Sequence, residues 1–89
     1  MKVILNKCYG GFGIKESVEK ELGLKPFSDD SRYNKTLISM IEAGIDCNNE
    51  YSDLKVVEIP DNITDMEFVE EDDGWEEIIY VLDGKIHHV

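Results

Sequence analysis

A short stretch near the start of the chain, Lys7 to Gly13, places three glycines within four positions. The apolar run from Val3 to Leu5 precedes it, and a segment with helical spacing follows it. Glycine lets a chain turn through positive φ and lets another backbone or an anion approach closely. The stretch therefore predicts a strand-to-helix junction, either a plain tight turn or a loop whose amides hold a phosphate.

The spacing of these glycines does not match the known nucleotide-binding fingerprints. Gly10, Gly11 and Gly13 form neither G-x-G-x-x-G nor the P-loop pattern, and no Lys-Ser/Thr pair follows them. Two aromatic neighbours, Tyr9 and Phe12, are suited either to stacking on a base or to filling the core, and Phe12 is the better core candidate. The spacing of the glycines by itself favours a structural turn, whereas the aromatic residues beside them favour a ligand site.

Basic residues near the glycines strengthen the hypothesis of a phosphate site. Lys7 and Lys15 flank the loop in a chain that has only nine basic residues. Arg32 is the only arginine, and its guanidinium is suited to clamping a phosphate with two hydrogen bonds. The alternative for Arg32 is a surface ion pair with Asp29 or Asp30.

The charge of the chain restricts its partners. A formal net charge of −11 over 89 residues repels nucleic-acid backbones and anionic membranes. Such a charge serves solubility, or it lets carboxylates imitate the phosphates of a nucleic acid on a basic protein. The densest acidic stretch, Glu70 to Glu77, predicts a solvated turn or a surface for a cation or basic partner. Trp75 within it is either an interface anchor or a buried residue.

The pattern of apolar residues predicts a single α+β domain over residues 1–89, with a mixed sheet of about four strands and two helices on one face. Helices are expected over residues 15–23 and 34–44, with Asn34 as an N-cap and Gly23 as a stop. Strands are expected over residues 2–8, 54–59 and 66–71, and residues 75–82 form a strand or a short helix. Turns are expected at Asp72 to Gly74 and at Asp83–Gly84.

Other residue types argue against catalysis and metal binding. Cys8 and Cys47 lack a Cys-x-x-Cys partner and are expected to be free thiols in a reducing compartment. His87 and His88 are adjacent, so on a strand they point to opposite faces and cannot chelate one metal together. No signal peptide or membrane span is visible, which predicts a cytoplasmic protein. No coherent acid–base or nucleophilic set is visible, so a binding protein with no metal and no cofactor is expected, and an enzyme ranks third after the two binding hypotheses given below.

Four segments together resemble a family of small uncharacterised proteins from bacteriophage genomes and prophages. These segments are "NKCYGGFGI" at 6–14, "LISMIEAG" at 37–44, "YSDLKVVEIPD" at 51–61 and "EEDDG" at 70–74. Arg32 is similar to the family arginine, and Asn34 falls where the family has a helix-capping aspartate. Lys15 replaces a capping serine, and the tail "KIHHV" differs from the more basic family ending. The family has no established activity, so the resemblance implies only a phage-related, cytoplasmic setting.

That setting leaves two hypotheses, because small phage accessory proteins often disarm host defence. The first is a sponge for a signalling nucleotide, in which a phosphate-bearing ligand lies on the glycine loop, in a pocket that suits a homo-oligomer. The second is an acidic inhibitor that binds a basic host protein, with Glu70 to Glu77 as its surface. Neither involves direct binding to nucleic acid or to a membrane. The residues predicted to bind the ligand are Asn6, Tyr9, Gly10, Gly11, Phe12, Gly13, Lys15 and Arg32.

Overall fold

Five strands and three helical segments make up the fold in a computed structural model that describes residues 1–25, 29–70 and 74–89. In chain order they are β1 (Lys2–Asn6), α1 (Glu16–Leu22), a short 3-10 helix (Asp29–Tyr33), α2 (Lys35–Glu42), β2 (Leu54–Glu58), β3 (Asp65–Glu70), β4 (Glu76–Leu82) and β5 (Lys85–His88). The α+β class is confirmed. Residues 75–82, expected as a strand or a short helix, contain β4.

The strands lie in two antiparallel sheets, not in the single mixed sheet that the sequence predicts. β1 pairs with β2 in a two-stranded sheet, with Val3 opposite Val57. β3, β4 and β5 form a three-stranded sheet in that order. The prediction of one sheet was wrong for a physical reason. Apolar residues on both faces of β1 indicate that both faces are buried, but burial does not determine how many strands belong to one sheet.

Two hydrophobic cores cover the two faces of β1. On one face Ile4 packs with the apolar residues of both helices, including Val18 of α1 and Leu37 of α2. On the other face Val3 packs in a second core with Ile78 of β4. Both helices therefore lie on the same face of the two-stranded sheet, as expected, and the three-stranded sheet covers the other face.

Local signals at the ends of the elements are confirmed. The Asn34 side chain accepts a hydrogen bond from the Leu37 amide at 2.9 Å and caps α2. Gly23 ends α1 in the left-handed conformation with a φ of 67°. Asp83 and Gly84, with φ values of 53° and 73°, form the tight turn between β4 and β5. In the turn expected at Asp72 to Gly74, Gly74 has a φ of 89°, whereas Asp72 and Asp73 lie outside the described residues.

The described helices are short. None of those within residues 1–25, 29–70 and 74–89 has the length and apolar character that crossing a membrane requires.

Candidate binding face at the glycine loop

The glycine loop, Lys7 to Gly13, is a packing junction between three parts of the chain. A Cβ atom on Gly10 would overlap the carbonyl oxygen of Tyr51, and one on Gly13 would overlap the Asn49 side chain. A Cβ atom on Gly74 would in turn overlap the backbone of Gly11. These close approaches require glycine for steric reasons, so they support the interpretation of the loop as a structural turn.

At Gly11, unlike Gly10 and Gly13, the backbone conformation rather than a close contact explains why the position favours glycine. Its φ is 95°, and nothing lies within 4 Å of the position that a Cβ atom would occupy. Within the described parts of the chain, the amides of Gly10, Gly11, Phe12 and Gly13 donate none of the hydrogen bonds. Backbone amides in a glycine turn of this kind can receive an anion.

Asn6, predicted to bind a ligand, instead ties the loop to the rest of the protein. Its side chain is fully buried, and its amide nitrogen donates to the carbonyl oxygens of Cys8 and Gly74, both at 2.9 Å. Its side-chain oxygen accepts from the Asp53 amide at 2.8 Å and from the Cys8 thiol at 3.3 Å. Each polar atom of this side chain is therefore engaged inside the protein.

Arg32 lies in the interior, where it forms an ion pair with Glu76. The guanidinium donates to the two carboxylate oxygens at 2.7 and 2.5 Å and to the carbonyl oxygen of Ile4 at 3.1 Å. The amide of Asn6 donates to the same carboxylate at 2.8 Å. The sequence predicted a phosphate clamp or a surface pair for Arg32, and the structure places its charge in a buried bidentate pair with a residue of β4.

Two aromatic rings enclose the Arg32 guanidinium. Its central carbon lies 4.1 Å from the centre of the Phe12 ring and 5.2 Å from that of Phe68. A cation close to an aromatic ring is attracted by the negative potential of the ring face. Phe12 thus packs inward on Arg32 and against the helix-side core, in keeping with the expectation that Phe12 is a core residue.

The two lysines beside the loop also have partners within the protein. The Lys7 ammonium donates to the carbonyl oxygens of Glu76 at 2.8 Å and Val89 at 3.2 Å. Lys15 approaches Asp46 at 3.6 Å and keeps a half-exposed side chain. A hydrogen bond from the Asn48 amide, together with the Lys15 charge, lowers the pKa of Asp46 below its ordinary value. Of the predicted phosphate cations, Lys7 and Lys15 are both partly exposed, whereas Arg32 is buried.

Tyr9 projects from the loop into solvent and packs against Trp75 in a tilted arrangement. The side chain of Tyr9 is 72% exposed, and its ring centre lies 5.2 Å from that of Trp75 with a 42° angle between the planes. Tyr51, which is 66% exposed, lies nearby, because its carbonyl oxygen accepts from the Cys8 thiol at 3.1 Å and contacts Gly10. Solvent-exposed aromatic residues thus concentrate around the loop.

Carboxylates precede and follow Trp75 in the sequence. Glu70 at the end of β3 is paired with Glu76, so the two side chains lie on the same face of the sheet, whereas Glu77 lies on the opposite face. The sequence adds Glu71, Asp72 and Asp73, which lie outside the described residues. We call Tyr9, Trp75 and Glu77, which lies two positions after Trp75, the aromatic–acidic face.

The cysteines and histidines are the remaining candidates for chemistry among the described residues. Both thiols are free, as expected, and Cys47 is buried, which raises the pKa of its thiol. No group of three or more metal-ligating side chains occurs within the described residues. His87 stacks on Tyr80, whereas His88 lies 4.0 Å from Glu77, so the two histidines lie on opposite faces of the sheet, as expected.

Sequence reasoning missed Glu76, the residue that neutralises Arg32. The sequence does contain one signal: its single arginine occurs together with twenty acidic residues. That composition predicts a carboxylate partner for Arg32 but does not identify which one. Comparison with protein-family models, with curated proteins and with solved structures found no match to this chain.

Proposed function

We propose that this chain is a protein-binding module whose aromatic–acidic face holds a basic partner. The observation that carries the proposal is the exposed ring of Tyr9, which packs against Trp75 at a junction where close backbone contacts hold the loop. Aromatic side chains dominate the binding energy of many protein interfaces. A loop already fixed in one conformation loses little entropy when a partner binds.

The charge of the chain supports a basic partner. A net charge of −11 attracts a positively charged surface over long range and raises the rate of encounter. Because Arg32 is paired with Glu76, its charge does not offset the other carboxylates of the chain. The face therefore combines an exposed aromatic contact with the Glu77 carboxylate in a strongly acidic chain.

The resemblance to phage proteins supplies a setting for this proposal. In that setting the chain inhibits a basic host protein in the host cytoplasm, with carboxylates in place of nucleic-acid phosphates. The expectation of a homo-oligomer stays a prediction, as does the absence of catalysis.

The proposal is tested by measuring how salt and surface charge affect capture of a partner from host extract. We compare the unaltered chain with the variant Glu77→Gln, and with Glu21→Gln on α1 as a control of equal charge change. The variant on the face is expected to lose most of the captured protein and the control to keep it. Capture should also fall as salt rises, since screening weakens exposed charge pairs. Equal capture by both variants at all salt concentrations would overturn the proposal.

A phosphate-bearing ligand on the glycine loop is the second candidate. The observation that favours it is the set of loop amides without acceptors in the described chain, next to Gly11 with its positive φ. Titration calorimetry with ADP-ribose and cyclic dinucleotides tests it. Binding that weakens on Lys15→Ala supports the candidate, and the absence of heat with every nucleotide rules it out.

A further inference from the structure

We propose that the free edge of β2 binds an extended, basic segment of a partner protein as an additional strand. The inference goes beyond the proposed function and uses none of the residues of the aromatic–acidic face. Strands added in this way are held by backbone hydrogen bonds, and pockets beside the edge select their side chains.

The register of the β1–β2 ladder shows which backbone groups of β2 point away from β1. The Met1 nitrogen donates to the Ile59 carbonyl oxygen at 2.7 Å, and the Ile59 amide donates back to the Met1 carbonyl oxygen at 2.9 Å. Bonded and non-bonded pairs alternate along an antiparallel ladder. Counted from that pair, every second residue of β2 bonds to β1, and the residues between them direct their N–H and C=O groups to the free edge. Those residues are Leu54, Val56 and Glu58.

The outer edge of β1, on the other side of the same sheet, is closed by side chains of the protein. The Ile4 carbonyl oxygen accepts a hydrogen bond from Arg32 at 3.1 Å. The Asn6 amide donates to the Glu76 carboxylate at 2.8 Å. Pairing with another chain at these positions would require the buried Arg32–Glu76 pair to separate, so β1 offers no edge to a partner.

The outer edge of β2 is closed at one end by Asn48. Its side-chain oxygen accepts from the Leu54 amide at 2.7 Å and so takes the place that a partner strand would occupy there. Within the parts of the chain that the structure describes, the outward backbone groups of Val56 and Glu58 have no hydrogen-bond partner. Unpaired groups along a strand edge are a template for pairing with another chain.

A groove of about 470 Å³ lies along this edge, between β2 and the segment that follows α2. Val56 lines the groove together with Ile41 and with Ile45, whose side chain is 50% exposed. An apolar side chain of an added strand can therefore pack in the groove while its backbone pairs with Val56. Successive side chains of a strand point to opposite faces, so the segment is expected to present apolar residues at every second position.

The charged residues along the groove favour basic residues at the remaining positions of the segment. Glu42, Asp46 and Asp53 line the groove, together with one lysine, Lys55. Asp53 lies 3.4 Å from Lys55, but both side chains are about half exposed, and exposed pairs of this kind are weak. In a chain with a net charge of −11, these carboxylates attract a basic segment and repel an acidic one.

A short blocked peptide of alternating valine and lysine tests the inference, in NMR titrations of the unaltered protein at low salt. Binding should protect the amides of Val56 and Glu58 from hydrogen exchange. The amides of Lys55 and Val57 already bond to β1 and should be unaffected. At a peptide concentration about nine times the dissociation constant, exchange of the two outward amides should fall about ten-fold, because only the free tenth of the protein exchanges.

Two control peptides and two variants isolate the backbone, charge and groove contributions. The same peptide with N-methyl groups on all its amides keeps its side chains but cannot donate to β2, and a valine–glutamate peptide has the opposite charge. Neither should bind measurably. Ile45→Ala should weaken binding of the valine–lysine peptide by about two- to ten-fold, because it removes part of the apolar contact. Ile86→Ala, at an exposed isoleucine of β5, is the matched control and should bind as the unaltered chain does.

Several results would overturn the inference. Equally tight binding of the N-methylated peptide would exclude strand pairing, and equally tight binding of the glutamate peptide would exclude selection of a basic segment. Unchanged affinity of Ile45→Ala would show that the groove is not used. If the Val56 amide becomes protected as the concentration of the protein alone rises, a second copy occupies the edge. If no peptide binds while Glu77→Gln still reduces partner capture, the inference fails and the proposed function stands.

Discussion

Arg32 and Glu76 form a buried bidentate ion pair across 44 positions of sequence, and each side chain is only about a tenth exposed. The pair joins the end of the 3-10 helix to the start of β4, directly beside the glycine loop. The Asn6 amide bonds the same carboxylate, which adds β1 to the junction. The candidate binding face is therefore built on an interior charge pair.

Removing one partner of this pair should destabilise the protein severely. Arg32→Leu leaves the Glu76 carboxylate buried without its cation, and such a loss typically costs about 3–5 kcal/mol of unfolding free energy. Glu76→Gln should cost less, because the amide oxygen can still accept from Asn6. Urea unfolding followed by circular dichroism measures both variants. Arg32→Leu at unaltered stability would show that the pair contributes nothing.

The surface pair between Lys2 and Glu42 is a matched control for that experiment. Its ammonium bonds the two carboxylate oxygens at 3.1 and 2.9 Å, yet both side chains are more than 40% exposed. Exposed pairs of this kind are worth about 0–1 kcal/mol, so Lys2→Met should barely shift the urea midpoint. If Lys2→Met lowered the unfolding free energy as much as Arg32→Leu, burial would not be what determines the contribution of an ion pair to stability.

The two thiols should differ widely in their reactivity. Cys8 is partly exposed in the glycine loop, whereas Cys47 is 1% exposed and its pKa is raised by burial and by the nearby Asp46. A thiol reagent at neutral pH should therefore modify Cys8 quickly and Cys47 only as the protein opens. Mass spectrometry of timed samples identifies the modified residue. Equal rates at both positions would contradict the buried placement of Cys47.

The raised pKa of Cys47 also predicts a loss of stability in alkali. The folded state holds the thiol proton more tightly than the unfolded chain, whose thiol ionises near its ordinary pKa of 9.0. Its effect on the unfolding free energy is therefore absent at neutral pH and grows as pH rises through that value. Cys47→Ala should reduce the fall in unfolding free energy between neutral and alkaline pH. The comparison uses urea unfolding at each pH, and identical pH slopes would refute the prediction.

The elements that sequence reasoning predicted correctly are those that local rules determine. The Asn34 cap, the Gly23 stop and the turn at Asp83–Gly84 each depend on residues within a few positions of one another. The hydrogen bond from the Leu37 amide to the Asn34 side chain spans three positions, so it can be predicted from the local sequence alone.

The features that sequence reasoning did not predict depend on contacts between distant residues. Nothing near Arg32 in sequence indicates that its charge meets Glu76, since several carboxylates are equally plausible partners in so acidic a chain. Asn6 is a polar residue at the end of an apolar strand, a position that suits a ligand contact as well as an internal clamp. The division into two sheets depends on which strands pair with each other, and the pattern of apolar residues does not specify strand pairing.

The loop glycines provide a test that separates steric packing from backbone conformation. Gly10→Ala would place a methyl group onto the Tyr51 carbonyl oxygen, so the two backbones must separate and the variant should lose about 1–3 kcal/mol or more of unfolding free energy. Gly11→Ala meets open space but must hold a side chain at a φ of 95°, which costs on the order of 1–3 kcal/mol without displacing a neighbour. Gly10→Ala should therefore move Tyr51 and alter the fluorescence of Trp75 through Tyr9, whereas Gly11→Ala should lower stability while its folded-state spectrum stays unchanged. If Gly11→Ala instead changes the spectrum and Gly10→Ala does not, the loop is held by its own conformation rather than by its contact with Tyr51.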